Sequence, residues 1–143
     1  MHIFDEPKID CHAHVIDPVN FPYGKNVVYR PSAQEIGTAA QLREVMTSYG
    51  VEHALLVQPN SGYEGDNACM LDAIAKGEGR FKGIAIVDLD ADIATLKTLQ
   101  AQGIVGAARV YELEAAEVVE GGIGQHQGAV VAIEFDAVTG AKE

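Results

Sequence analysis

Four apolar runs separated by stretches of helical periodicity constrain this chain more than any other feature. Residues 9–14, 52–58, 81–87 and 104–110 read as strands. Between the first two, Thr38-Ala39-Ala40-Gln41 is a capping-box start. Leu42, Val45, Met46 and Tyr49 follow at i, i+3, i+4 and i+7, one face of a helix that Gly50 ends in the left-handed position. Asp66 is the expected cap of a second helix. It carries Cys69 or Met70, Leu71, Ile74 and Ala75 and stops at Gly77. Residues 88–92 form a turn, and Ile93, Leu96 and Leu99 make the stripe of a third helix that ends at Gly103. The run Ala54-Leu55-Leu56-Val57 is typical of a strand buried on both faces. Strand–helix alternation of this kind gives parallel strands, right-handed crossovers and helices over the sheet. The fold class is α/β.

Composition narrows the function classes. The chain has 143 residues, the size of one domain, and 48% of them are apolar, enough for a real core. Its formal net charge of −11 repels phosphate backbones and anionic lipid. We therefore expect no nucleic acid and no membrane among its partners. No apolar run approaches the roughly 18 residues of a membrane span. The amino terminus lacks a basic start followed by an apolar stretch, so no signal peptide is expected. The two cysteines, Cys11 and Cys69, read as reduced, buried or half-buried thiols of a cytoplasmic protein. Cys11 adjoins His12 but points to the opposite face of its strand, which favours an inert thiol.

Asp10, His12 and His14 alternate along the first strand and share one face. Imidazole is the commonest protein ligand of Zn²⁺, and two histidines at a strand end can reach one ion. The competing reading is a polar strand face in water. Residues 15–37 make a connection longer than usual, and loops of that length are usually functional. This loop and the one after the second strand, 59–65, lie at the carboxyl ends of strands, where α/β proteins build their sites. No glycine-rich dinucleotide turn, Walker motif, Cys-x-x-Cys or Gly-x-Ser-x-Gly is present.

An ordered series of segments carries a family resemblance. It comprises Ile9-Asp10-Cys11-His12-Ala13-His14, Tyr29-Arg30-Pro31 and Gly50-Val51-Glu52-His53-Ala54-Leu55-Leu56-Val57-Gln58-Pro59. Asn60-Ser61-Gly62-Tyr63, Asp66-Asn67 and Gly79-Arg80-Phe81-Lys82-Gly83 continue it. From Lys8 to about Gly106 the chain resembles the amino-terminal part of an amidohydrolase-related TIM barrel, in the branch of the 2-pyrone-4,6-dicarboxylate lactonases. The resemblance implies hydrolysis of a lactone, ester or amide bond in a small carboxylated molecule. In most of the superfamily the first-strand histidines bind a divalent metal, Zn²⁺ or Mn²⁺, whose water attacks the carbonyl. In the lactonase branch the same histidines are thought to polarise the carbonyl without a tightly held metal. His12 and His14 are thus the expected catalytic residues and the expected metal ligands. The resemblance also implies a further histidine from a later strand and a carboxylate general base on the last one.

The remaining candidates have two readings each. Tyr29 either holds a substrate carboxylate or packs a lid. Ser61 and Tyr63 either hold a carboxylate or serve turn chemistry, which Asn-Ser-Gly also suits. Gln58 is expected to face the barrel interior, and His53 to be structural. Asp88 either faces the site or caps a helix. Asp10 either orients a histidine or fills the barrel floor.

Complete barrels of this kind run to about 250 residues or more. Residues 1–110 supply four repeats, about half a barrel. Residues 111–143 depart from the family pattern and form an acidic tail. In it, 111–120 read as an acidic helix or irregular stretch, 121–128 as a flexible loop, and 129–136 as a strand. His126 and Asp136 sit in contexts that match nothing in the family and are not taken as site residues. Four or five strands cannot close an eight-stranded barrel. The chain is expected to pair as a homo-oligomer or to flatten into an open layer. The alternative to a hydrolase is a catalytically silent truncated barrel that binds a small carboxylate or pairs with another subunit.

Overall fold

A computed structural model describes residues 6–110 and 130–134. Strand β1 (Lys8–Ala13) is followed by a long loop with a 3-10 turn at Ala33–Glu35, then α1 (Ala39–Tyr49) and β2 (Val51–Val57). Helix α2 (Ala68–Lys76), β3 (Phe81–Ile86), α3 (Ile93–Ala101) and β4 (Ile104–Val110) complete the alternation, and β5 (Val130–Glu134) comes last. One sheet holds all five strands in the order β1-β2-β3-β4-β5. The first four are parallel, whereas β5 runs antiparallel to β4, with Ala108 opposite Ala132. The expected α/β class and strand order are therefore observed, and the strand boundaries differ by one residue at β1, β2 and β3. Of the 129–136 strand, 130–134 are described. The expectations for 111–128, for His126 and for Asp136 lie outside the described residues.

Local chemistry explains the helix boundaries. Thr38 caps α1: its side chain accepts the Gln41 N–H at 3.3 Å, and the Gln41 carbonyl accepts the Thr38 N–H at 2.9 Å. Gly50 closes α1 at φ 67°, a conformation that costs glycine little. Asp92 caps α3 by accepting the Thr95 N–H at 2.7 Å. At α2 the cap differs from expectation. Asn67 is the cap residue, and Asp66 accepts the Ala68 N–H at 3.0 Å. The Asn67 side chain is engaged elsewhere, bridging both backbone groups of Ile86 at the end of β3.

The core lies between the helices and the sheet. Phe81, Met46, Leu56, Met70, Ile104 and Val15 are its largest fully buried side chains. Burial of one such side chain stabilises by roughly 1.5–3 kcal/mol. The expected stripes are only partly buried. Helix α1 packs through Met46, with Ala39 and Leu42 partly covered, while Val45 and Tyr49 are exposed. Helix α3 buries Leu99 and leaves Ile93 exposed. Ala54 and Leu56 on β2 are buried, but Leu55 and Val57, on the other face, are only half-buried. For β2, the described residues place no helix on the face that carries Leu55 and Val57. Edge position also exposes Cys11, which was expected to be at least half-buried. Cys69 is buried on α2 near the Val15 carbonyl, and both thiols are free.

Candidate functional site

The site begins with the alternation of β1. His12 and His14 emerge at its carboxyl end, both exposed, with their Nε2 atoms 3.3 Å apart and their rings edge to face. His14 Nδ1 lies 2.7 Å from the Val57 carbonyl at the end of β2. A carbonyl can only accept, so His14 carries its proton on Nδ1 and presents a lone pair at Nε2. His12 then donates from its own Nε2. The half-buried Asp10 accepts the His12 backbone N–H at 3.0 Å. It therefore fixes the His12 main chain, and no contact joins it to either ring.

The two long loops are tied together over this end of the sheet. Gly62 donates to the Tyr29 carbonyl at 2.8 Å and accepts the Gly24 N–H at 2.9 Å. Tyr23 donates to the Pro31 carbonyl at 2.7 Å, and Arg30 donates to the carbonyls of Gly24 and Lys25. Tyr29, on the first loop, is 51% exposed and donates its hydroxyl to Glu35. That bond holds the Glu35 carboxyl below its ordinary value and pushes the Tyr29 phenol up. Ser61, on the second loop, is half-buried, and its hydroxyl has no hydrogen-bond partner among the described residues.

Tyr63 differs from its expected role. It is 4% exposed, packs its ring 5.4 Å from that of Tyr23, and accepts the Asp17 N–H at 2.9 Å. Burial pushes its phenol well above the ordinary value of 10.0. Tyr63 is a core residue that anchors the start of the first loop, and it does not present its hydroxyl to a ligand.

Gln58 is buried at the end of β2, as a residue turned inward would be. Its Nε2 donates to the carbonyls of Glu64 and Asp66, at 3.3 and 2.9 Å, and its Oε1 has no partner among the described residues. His53 is exposed on β2 opposite Ile9 and takes no part in the site. Asp88 is exposed beyond β3, beside a hollow of about 460 Å³ lined also by Asn67, Asp90 and Asp92. Helix capping there falls to Asp92. A second hollow, of about 450 Å³, lies at the opposite end of the strands near Arg80 and Glu52. Neither hollow includes His12 or His14, and both histidines are exposed. Sequence reasoning missed Glu35 and the Val57 carbonyl. Ser32 and Glu35 have capping-box spacing, a signal that would have flagged the first. The second is a main-chain group that only the β1–β2 register brings to His14.

The metal implied by the resemblance can be tested against this geometry. Two nitrogens each bound at about 2.0–2.1 Å to one tetrahedral ion lie about 3.3–3.4 Å apart. The spacing of the two Nε2 atoms matches that figure. Catalytic zinc, however, takes three protein ligands. Among the described residues no group of three or more His, Cys, Asp or Glu could hold a metal. The donor set is thus one ligand short of a resident ion.

No protein-family model matches the chain. It is 30% identical over 106 residues to a 4-sulfomuconolactone hydrolase of Hydrogenophaga intermedia, covering 73% of this chain and 34% of that protein. It is 30% identical over 99 residues to a 2-pyrone-4,6-dicarboxylate hydrolase of Comamonas testosteroni, covering 68% and 31%. A solved structure from Acinetobacter baumannii, described as a probable 2-pyrone-4,6-dicarboxylic acid hydrolase with citric acid bound, matches at a TM-score of 0.62. There the identity is 33%, over 70% of this chain and 36% of that one. The chain spans about a third of the length of the curated relatives it matches. The curated and structural neighbours that the chain matches are thus lactone hydrolases of the 2-pyrone-4,6-dicarboxylate hydrolase kind, TIM barrels of which it spans only a part.

Proposed function

We propose that the chain contributes the carbonyl-activating wall of a hydrolase that opens a lactone, or a related ester or amide, in a small carboxylated molecule. The observation that carries this reading is the His12–His14 pair, with its Nε2 atoms 3.3 Å apart and His14 oriented by the Val57 carbonyl. When a substrate carbonyl enters, the His12 Nε2–H turns to its oxygen and withdraws electron density from the carbon. The His14 Nε2 lone pair is thereby released to take a proton from water. Water oxygen adds to the carbonyl carbon, the ring C–O bond breaks, and the proton passes to the departing alkoxide. The product of lactone opening is a single hydroxy acid. Proton transfer of this kind contributes roughly 10²–10⁴-fold. The late-strand carboxylate base implied by the resemblance has no counterpart among the described residues, so His14 takes that role here.

Tyr29 and Ser61 are the groups we assign to the substrate carboxylate. The names of the relatives and the citric acid in the A. baumannii structure support an anionic substrate. His12 and His14 would hold a Zn²⁺ or Mn²⁺ ion only with a third ligand, which the described residues do not supply. Among the described residues no helix is long and apolar enough to cross a membrane. The two free thiols support a place in the cytoplasm. The edge position of β1 among the described strands supports a homo-oligomer.

The experiment is hydrolysis of lactones and aryl esters by the purified chain, with and without Zn²⁺ or Mn²⁺. His12→Ala and His14→Ala should each lower the rate about 10²-fold or more. Rates untouched by the double substitution would eliminate the hydrolase. The exposure of the pair favours one further reading, a silent carboxylate binder. It would show itself as citrate binding with no turnover of any substrate.

A further inference from the structure

Resting on the assignment of Tyr29 to the substrate carboxylate, we propose that Glu35 is an internal competitor for that subsite and sets its affinity for anions. A phenol has one O–H to donate. In this structure Tyr29 gives it to Glu35, whose other oxygen accepts the Ser32 N–H at 3.1 Å. A carboxylate already occupies the position that a substrate carboxylate would take. Both residues are exposed, so the bond forms at the surface and is open to exchange with a dissolved anion. The Tyr29 main chain does not depend on Glu35, because the Gly62 N–H holds its carbonyl against the second loop. An arriving carboxylate must therefore take the phenol proton from Glu35 and meet its negative charge at close range.

The test is calorimetric titration of the full chain with citrate, at low and high salt. Glu35→Gln keeps an oxygen for the Ser32 N–H but weakens the competing acceptor and removes the charge. Citrate should bind Glu35→Gln about three- to tenfold more tightly than the unaltered chain. Part of that gain should survive 0.5 M salt, which screens only the charge contribution. In a Tyr29→Phe background the salt-resistant gain should vanish, since no donor remains to be freed. If hydrolysis is observed, Glu35→Gln should lower KM and leave kcat unchanged. Equal or weaker citrate binding by folded Glu35→Gln and Glu35→Ala would overturn the proposal, because Glu35 would then be holding Tyr29 in place. Absence of binding by all variants would overturn it as well. The hydrolase reading fails separately, through the histidine substitutions above.

Discussion

Gly62 has φ 78°, and a Cβ placed there would lie 2.6 Å from the Tyr23 ring. Both its backbone groups bridge the two loops, so it fixes Tyr29 relative to Ser61 without any side chain of its own. Gly62→Ala should destabilise the chain by about 1–3 kcal/mol from the left-handed backbone alone. Citrate affinity should drop along with the melting temperature. A variant that melts normally and binds citrate normally would show the bridge to be dispensable. Tyr63 makes a second residue-level point. Tyr63→Phe strands the Asp17 N–H and should cost about 1–3 kcal/mol, measured by urea unfolding. It should leave the affinity of the folded protein for citrate unchanged, as a residue outside the ligand surface must.

At the scale of elements, the strand–helix order was readable because its signals are local. Thr38 with Gln41 and Gly50 after α1 each act within one turn, and the structure has both. Thr38→Ala should therefore cost about 1 kcal/mol in chemical denaturation. The histidine pair was equally legible, since a period of two is all that a strand needs. Burial was not. Val45 and Tyr49 belong to the same helical stripe as Met46, yet only Met46 meets the sheet. Which part of a stripe is covered depends on neighbours beyond the helix. Tyr63 was misread for a related reason. A hydroxyl in a loop between strands signals ligand contact only if the ring is not needed to fill the space under the loop. Gln58 could be placed inside, but the two carbonyls that receive its amide come from a loop whose path no local rule sets.

The whole molecule should lose stability at both ends of the pH scale. Hydrogen bonds from the Asn20 side chain and from the Thr95 backbone hold the Asp17 and Asp92 carboxyls below the ordinary 3.8. Their contribution is present above that value and disappears as pH falls through the depressed folded values. Burial raises Cys69 above 9.0 and Tyr63 above 10.0. The folded chain then keeps protons that the unfolded chain releases, so stability falls as pH rises past 9. Thermal melts from pH 3 to 11 should show a plateau between these limits, and Tyr63→Phe should lessen the alkaline decline.

The antiparallel seat of β5 on β4 bears on how such a sheet can grow. Each (β/α) repeat joins its predecessor in the same direction, and a segment laid head to tail ends that propagation on its side. Any polypeptide supplying more parallel repeats must expel 130–134 or approach from the opposite margin. A graft of later repeats from a relative, joined beside β4, should accordingly succeed only after β5 is deleted.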